Sequence, residues 1–363
     1  MTIKKFIAIG ISAAALPAFA QEASPVVIFG RLNLALENIR PTTDSAGTSL
    51  PNLTRLANYR SVIGFRGDED LGDGLRAIWQ IESAVSLDTG DASFAARDTR
   101  VGLATRFGTI FGGNWTTPYT SSTQGLDPFY PTTFGYMSIM GNGSASSSDN
   151  VMDTSSFDRR QKNSIHYWSP KWNGVTVLVA HGLDEEKTAL KAPSLTSLAA
   201  TYENGALYLT VAHERHKDYQ GAGLTDTGTK IGAGYRIGAT RIGGVAERIR
   251  YETASGILER NAYYLSATHQ IGPHGIRFGI ARAQDGKGSS TKQIGPLRSG
   301  ADTGATHYTL GYDYAMSKRT SLFAYVTRLD NKKNGKYDFA INQLGVKAGA
   351  DLNGTAIGLR HWF

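Results

Sequence analysis

A twelve-residue segment, RRQKNSIHYWSP at 159–170, combines a row of cations with the alternation of a β-strand. In an extended chain successive side chains point to opposite sides, so Arg160, Lys162, Ser164 and His166 share one face. The other face becomes apolar and aromatic. A row of like charges lowers the energetic barrier for ions of the opposite sign. Such a strand predicts a wet surface that attracts anions on one side and an apolar medium on the other.

The same alternation recurs elsewhere in the chain. At 26–36 an apolar face opposes a polar face that contains Arg31, and at 59–66 the set that begins with Tyr59 opposes the set that begins with Arg60. A charge on a lipid-facing strand position near the membrane midplane costs about 2–4 kcal/mol. We therefore expect the apolar faces to contact lipid and the polar faces to line a wet lumen.

Composition and the first residues bound the class of protein. Lys4 and Lys5 precede an apolar run at 6–16, which is shorter than the about 20 residues of a membrane-spanning helix, and 18–20 has the A-x-A form of a cleavage site. We interpret residues 1–20 as a secretory signal peptide that is removed. The chain has no cysteine, so disulfides cannot stabilise it outside the cytoplasm. No later segment has about eighteen consecutive apolar residues, which excludes a helical membrane protein but not a β-barrel.

Turn-like connections divide the remaining chain into strand-length runs, without a linker or a low-complexity tract. Seven connections are short, and eight, including 253–258, are longer and rich in Gly, Ser, Thr, Asp and Lys. Fifteen connections imply sixteen strands, with short turns at one end and long loops at the other, as in outer-membrane barrels. The longest connection, 116–159, is expected to be functional, because unstructured loops of that length are otherwise uncommon. The predicted fold is a sixteen-stranded antiparallel transmembrane β-barrel formed by one domain, 21–363.

Four segments resemble the Gram-negative general diffusion porins, in particular the trimeric sixteen-stranded porins of betaproteobacteria. They are GFRGDEDLGDGLRAIWQIES at 64–83, RDTRVGLATRFGTIFGG at 97–113, NSIHYWSP at 163–170 and the terminal GLRHWF. The resemblance implies an outer-membrane homotrimer with one water-filled pore per subunit, through which small hydrophilic solutes diffuse passively. It further implies that the connection 116–159 folds into the lumen as a constriction loop. Outer-membrane lipid and lipopolysaccharide would surround the barrel, and the terminal Phe363 would be its assembly signal.

The resemblance also assigns candidate pore residues. Arg97 matches the family's wall arginine, and Arg160 matches the basic residue before N-S-I. The third wall position is Val62 in this chain, and Arg60 on the same face is expected to substitute for it. Arg100 is a second departure, because strict alternation cannot place both Arg97 and Arg100 in the lumen. A bulge, or a position of Arg97 above the strand, would resolve the conflict.

Two sets of opposite charge follow from these assignments. The basic ladder is Arg31, Arg60, Arg97, Arg100, Arg160, Lys162 and His166, and the acidic set on the constriction loop is Asp127, Asp149, Asp153 and Asp158. One charge ~8 Å from an ion in a water-like dielectric is worth about 0.5 kcal/mol, and four are worth about 2 kcal/mol before screening. We therefore expect a moderate and salt-dependent preference for anions. The alternative, in which the cations only balance acids in the lumen, stays open.

Other chemistry has weak support in the sequence. DEDLGDG at 68–74 lacks the frame of an EF-hand, and the two histidines of HERH at 213–216 point to opposite faces of a strand. No arrangement for nucleophilic catalysis or phosphate binding stands out. We therefore expect no enzyme activity, no cofactor, no metal ion and no nucleic-acid partner. A porin with a dedicated solute site, an outer-membrane enzyme and a surface adhesin stay as alternative interpretations.

Overall fold

The structure, a computed structural model, describes residues 26–143 and 155–363. The predicted signal peptide and two of the predicted loop acids, Asp149 and Asp153, lie outside these residues. The described chain forms one antiparallel sheet that closes on itself. Its strands are β1 (Val27–Pro41), β2 (Leu53–Asn58), β3 (Ser61–Asp70), β4 (Arg76–Val85), β5 (Ala92–Ser93), β6 (Thr99–Thr105), β7 (Gly108–Thr116), β8 (Arg160–Trp168), β9 (Val175–Gly182), β10 (Ser194–Asn204), β11 (Leu207–Lys217), β12 (Thr225–Ile237), β13 (Thr240–Thr253), β14 (Gly256–Ile271), β15 (His274–Ala283), β16 (Ala305–Ala315), β17 (Thr320–Asn331) and β18 (Leu352–Trp362).

These segments form sixteen barrel strands, which confirms the prediction from the turn pattern. β2 and β3 both pair with β1, and β5 and β6 both pair with β4, so each of these two sets occupies one position in the barrel. The breaks lie near Arg60 and Ala95, whose φ angles are 51° and 56°. A regular strand cannot continue through this left-handed conformation. The predicted long connection at 253–258 is a tight turn instead, because β13 continues to Thr253 and β14 begins at Gly256.

The seam between the first and the last strand closes the barrel. β1 and β18 pair antiparallel over 11 residue pairs, and the N–H of Gly30 donates to the carbonyl of Phe363 at 3.0 Å. A side chain at position 30 would place its Cβ 2.4 Å from the Phe363 ring, so glycine permits this close approach. Closure leaves the described sheet without an open edge, whose unpaired backbone groups lipid could not satisfy.

Side chains alternate between an apolar outside and a polar inside, as predicted. On β16, Tyr308, Leu310 and Tyr312 are 40%, 52% and 43% exposed on the outside, whereas His307 and Thr309 are buried. This arrangement is the reverse of that in a water-soluble sandwich and fits an apolar medium around the barrel. Within the described residues, no helix has both the length and the apolar character needed to span a membrane.

The prediction that Tyr59 faces lipid is wrong. The alternation places Tyr59 on the lipid side, but its side chain is buried in the lumen and its hydroxyl donates to Glu37 Oε1 at 2.6 Å. The left-handed Arg60 inserts one extra residue into the strand. Val62, which pairs with the lumen residue Arg31, therefore faces inward as Tyr59 does.

Much of the buried core lies inside the barrel, on the connection between β7 and β8, which we call the third loop (117–159). It contains the helix α1 (Pro118–Gln124) and two short 3-10 turns, Tyr136–Ser138 and Met140–Asn142. The side chain of Thr117 accepts a hydrogen bond from a backbone N–H of the first turn of α1, and Pro118 fits that turn because its missing N–H would be unpaired there.

The last long connection, 332–351, packs on the third loop; we call it the eighth loop. The rings of Phe339 and Phe134 have centroids 5.5 Å apart, and Asn342 Nδ2 donates to Thr133 Oγ1 at 3.0 Å. The third loop is thus held inside the barrel by the wall and by a second loop.

The depth of a lipid-facing position predicts the cost of placing a charge there. Leu310→Arg should destabilise the barrel by about 2–4 kcal/mol, because Leu310 lies in the apolar band. Thr306→Arg, on the same face of β16 and between Arg282 and Asp330, should cost about 0–1 kcal/mol because it lies near the strand end. Denaturant unfolding in lipid vesicles measures both values, and equal costs would contradict the depth assignment.

Candidate functional site

Glu247 on β13 anchors the third loop to one side of the lumen. Its carboxylate accepts the N–H of Gly141 at 2.8 Å and the Tyr119 hydroxyl at 2.9 Å. Lys230 Nζ and Arg260 Nη2 lie 3.6 and 3.5 Å from the same carboxylate, and all three charged side chains are fully buried. A buried charge is costly unless it is paired and hydrogen-bonded. The two cations compensate the carboxylate and leave it available to bind the loop.

Asp127 organises the bend of the loop and binds it to the wall. Its carboxylate accepts the N–H of Phe129 at 3.0 Å, the N–H of Tyr136 at 2.9 Å and the hydroxyl of Tyr264 at 2.7 Å. Burial raises the pKa of Asp127 to about 6, although these donors and the charge of Arg277 act in the opposite direction. Asp127 is therefore a structural anchor.

Glycines on the lumen face of the wall provide space for the side chains of the loop. A Cβ at Gly311 would lie 2.8 Å from the Phe129 ring, one at Gly354 would lie 2.9 Å from the Phe134 ring, and one at Gly232 would lie 2.8 Å from Leu126. The part of the wall that carries these glycines therefore has space for the side chains of the loop.

Four arginines line the other side of the lumen; we call them the arginine wall. They are Arg31 on β1, Arg60 between β2 and β3, Arg97 before β6 and Arg160 at the start of β8. Arg31 Nη2 donates to the carbonyl of Arg60 at 2.8 Å, and Arg60 Nη1 lies 3.7 Å from the sulfur of Met137. The third loop reaches the arginine wall at this last contact.

The predicted conflict between Arg97 and Arg100 is resolved by the break in the strand. β6 begins at Thr99, so Arg97 precedes the regular strand, and Arg100 pairs with Gly113 on the lumen side. This is one of the two arrangements that the alternation leaves open.

Wall carboxylates, which the sequence analysis missed, pair with two of the arginines. Glu82 Oε1 lies 2.7 Å from Arg97 Nε, and Asp98 Oδ1 lies 2.8 Å from Arg160 Nε. The signal for Glu82 was present, because it alternates with the apolar residues of β4. Alternation could not identify Asp98, because Asp98 lies in the irregular stretch before β6.

Arg100 and His166 belong to a packed aromatic cluster on the wall. The guanidinium of Arg100 lies 4.7, 4.3 and 5.0 Å from the ring centroids of Phe111, Trp115 and Trp168. His166 is fully buried and stacks on Phe111 at 4.8 Å. Cation–π contacts stabilise a partly desolvated guanidinium. The lower end of the predicted ladder is therefore a cluster embedded in the wall, and His166 does not face open water.

Lys162 does not continue the predicted ladder. Gly113 pairs with Ser164 and Trp115 pairs with Gln161, so Lys162 and the left-handed Asn163 together oppose a single residue. This bulge places Gln161, instead of Lys162, on the face of Ser164. Lys162 lines a groove together with the lipid-facing residue Ile165. The prediction for Lys162 is wrong because alternation fails at a bulge.

The acids predicted on the third loop do not oppose the arginines in the part that the structure describes. Asp127 and Asp158 are both buried, at 4% and 3% exposure. Burial raises the pKa of Asp158, which lies against Gly141 at the root of the loop. From 117 to 143 the sequence contains one charged residue, Asp127. This part of the loop therefore presents a neutral surface to the arginine wall.

A further pair of lumen arginines was also missed. Arg360 on β18 donates to the Tyr325 hydroxyl at 2.7 Å and lies 3.3 Å from Asp313, and Arg277 binds the same carboxylate. In GLRHWF, Arg360 alternates with the apolar Leu359, so the pattern could have identified it.

Comparison with known proteins decides the family. The sequence pattern of the Gram-negative porins matches residues 7–334. The chain belongs to the Gram-negative porin family. It is 29% identical to outer membrane porin protein 32 of Delftia acidovorans over 99% of each chain. It is 25% identical to major outer membrane protein P.IA of Neisseria meningitidis serogroup C, over 85% of this chain and 84% of that one.

Solved structures show the same fold. The anion-selective porin from Comamonas acidovorans has a TM-score of 0.77 at 24% identity, and covers 94% of this chain and 100% of its own. The trimer form of OmpT from Vibrio cholerae has a TM-score of 0.66 at 17% identity, over 94% and 100%. The predicted family, the barrel fold and the outer-membrane location are therefore confirmed. This porin is a passive channel of the outer membrane.

Replacing a wall glycine that contacts the third loop with a larger residue should displace the loop. In Gly311→Val the new Cβ would lie 2.8 Å from Phe129 and 2.7 Å from Tyr325. We expect a packing cost of about 1–3 kcal/mol and a lower single-channel conductance, because the loop is displaced from the wall into the pore. Gly112→Ala is the control, since its nearest neighbour would be 3.8 Å away. Unchanged conductance in Gly311→Val would show that Phe129 does not seat the loop.

The raised pKa of Asp127 predicts a dependence of stability on pH. Between its ordinary value of 3.8 and about 6, the folded state binds a proton that the unfolded state does not. Stability due to this group therefore rises as the pH falls from 7 towards 4. Asp127→Asn cannot titrate, so the wild type should gain stability relative to this variant over that range. Denaturant unfolding at pH 7 and pH 4.5 measures the difference, and a pH-independent difference would contradict the assignment.

Proposed function

We propose that this porin is a diffusion channel for small hydrophilic solutes that prefers anions. The observation that carries the proposal is the charge on one side of the lumen. The arginine wall and Arg100 contribute five positive charges, against the two negative charges of Glu82 and Asp98. The remaining three positive charges are worth about 1.5 kcal/mol for an anion ~8 Å away, before screening.

The neutral surface of residues 117–143 in the third loop strengthens this preference. A loop with carboxylates opposite the arginines would favour cations on its own side of the pore. Between 117 and 143 the loop has Asp127 as its charged residue, and that residue is buried against Tyr264. Ions that pass the constriction therefore meet the field of the arginine wall without a matching negative field from 117–143.

Two similarities support the proposal. One solved structure of the same fold is an anion-selective porin, and another is described as a trimer form. We infer that this chain also forms a homotrimer, surrounded by outer-membrane lipid and lipopolysaccharide. Removal of a signal peptide at 1–20 and a role of Phe363 in assembly belong to the same proposal.

The decisive measurement is the zero-current potential of the purified porin in a planar bilayer under a KCl gradient. A potential of the sign expected for chloride preference is the predicted result, and its magnitude should fall as the salt concentration rises. A cation-signed potential would overturn the anion preference and leave the channel in place. Folded protein without conductance steps would overturn the channel itself.

Charge reversal at one residue of the arginine wall and at one residue off the lumen face tests the lumen assignment. Arg31→Glu lowers the net charge of the wall by two, which should reduce the chloride enrichment by roughly fivefold before screening. Lys162→Glu is the matched control and should leave the potential unchanged, because the bulge places Lys162 outside the lumen. The zero-current potential of each variant shows whether the replaced residue faces the lumen. A larger effect of Lys162→Glu would restore the simple alternation and contradict the structure.

A further inference from the structure

The outer surface of β10 to β14 changes from apolar to basic within a short distance. On the lipid face of these strands, cross-strand neighbours form rows, because paired residues of antiparallel strands point to the same side. One row contains Val211, Ile231 and Ala246, and the next row towards the long loops contains Thr229 and Arg248. Two residues along a strand correspond to about 7 Å.

The apolar part of this surface is a groove of about 840 Å³. Its floor is formed by small residues, because Ala233, Gly244 and Ala246 place little or no side chain on the outside. Leu209 and Leu265, which are 41% and 60% exposed, form its two sides. A groove with this lining fits an extended hydrocarbon chain.

The polar part is a cluster that we call the basic bay: Arg215, Lys217, Arg248 and Arg250. Arg215 and Arg250 flank Thr227 in register, so they lie two strand spacings, about 10 Å, apart. Arg248 and Arg250 contact Glu259 and Glu252 at 3.0 and 2.8 Å. Four cations against these two carboxylates leave a net charge of two positive units on an exposed surface.

On the other side of the barrel, the outer surface at the same height carries no comparable net positive charge among the described residues. Arg328 on β17 is exposed at the same end of the barrel, but it contacts both Asp330 and Asp351. Across β18, Asn353 pairs with Arg328 and with Arg40, so the local charges there cancel. The basic bay on β11 to β13 thus differs in net charge from the surface of β17, β18 and β1.

Cations on the lipid face are stable only where the apolar band ends, at the level of the headgroups. The bay lies at the end of the barrel that carries the long loops, which is the outer side of the outer membrane. We propose that the basic bay and the groove beneath it form one site for a lipid of the outer leaflet that carries phosphate. Its phosphate binds the arginines of the bay, and one acyl chain lies in the groove.

The chemistry of the bay favours a phosphate over a neutral headgroup. Guanidinium groups bind phosphate oxygens with two parallel hydrogen bonds, and such charge-assisted bonds are stronger than neutral ones. Thr227, which lies between Arg215 and Arg250 in register, provides a further hydroxyl donor. The site rests on the outer-membrane location and does not depend on which ions pass the pore.

Native mass spectrometry of the purified porin with lipid A, which carries two phosphates, tests the site. The double variant Arg248→Gln and Arg250→Gln should retain lipid A on the order of tenfold more weakly than the wild type. Ala246→Leu, which fills the groove without changing the charge, should also weaken retention. Arg328→Gln is the matched control at the same height and should retain lipid A as the wild type does. Lipid A without phosphates should bind weakly to all four proteins.

The outcomes separate the possible occupants. Equal retention of lipid A by the wild type and the double variant would overturn the proposal. A loss of lipid A retention in Arg328→Gln as large as that in the double variant would also overturn it. Dissociation of the oligomer in the double variant, with lipid A still bound, would assign the surface to a second copy of the chain and also overturn it. Conductance in a planar bilayer should be unchanged in every variant, because these residues face away from the lumen. Loss of channel function with normal lipid binding would count against the proposed function alone.

Discussion

The closed ladder of backbone hydrogen bonds is the constraint on which the rest of the structure depends. A strand edge in lipid would leave backbone groups unpaired at a cost of several kcal/mol each. The pairing of β1 with β18, extended by Gly30 and Phe363, removes that edge. Once the sheet is closed, each strand has lipid on one side and a polar lumen on the other, so a charge at mid-membrane depth has one stable position. The polar lumen also provides the only environment at this depth in which an irregular loop can fold.

The position of the third loop determines the electrostatics of the pore. Glu247 and Asp127 bind the loop to one side of the lumen through backbone N–H groups and tyrosine hydroxyls. Both carboxylates are buried in these hydrogen bonds, so they do not contribute to the surface that faces the pore. The arginine wall remains on the other side, where Glu82 and Asp98 neutralise part of its charge and hold Arg97 and Arg160 in place. Within the described residues, the charges that face the pore belong to one wall, and the stretch 117–143 of the loop adds no opposing negative field.

The outside of the barrel follows the same physical rule as the inside. Arg215, Arg248 and Arg250 lie on lipid-facing positions, but only beyond the apolar rows of β11 to β13. Small residues beneath them leave a groove, because neither packing inside the barrel nor pairing in the sheet requires large side chains there. The composition of this surface is therefore free to match a particular lipid, while the lumen face is constrained by the loop.

The sequence by itself determined which residues alternate, how many strands form and which connection is long enough to enter the lumen. The period of two is a local property of the backbone, so β1 and β16 could be assigned from their own residues. It failed at Tyr59 and Lys162, because the bulges at Arg60 and Asn163 depend on the pairing of neighbouring strands. The roles of Asp127 and Asp158 were also decided only by the tertiary structure. Whether a loop carboxylate faces the pore or binds the wall depends on contacts with residues more than a hundred positions away, such as Tyr264, which no local pattern encodes.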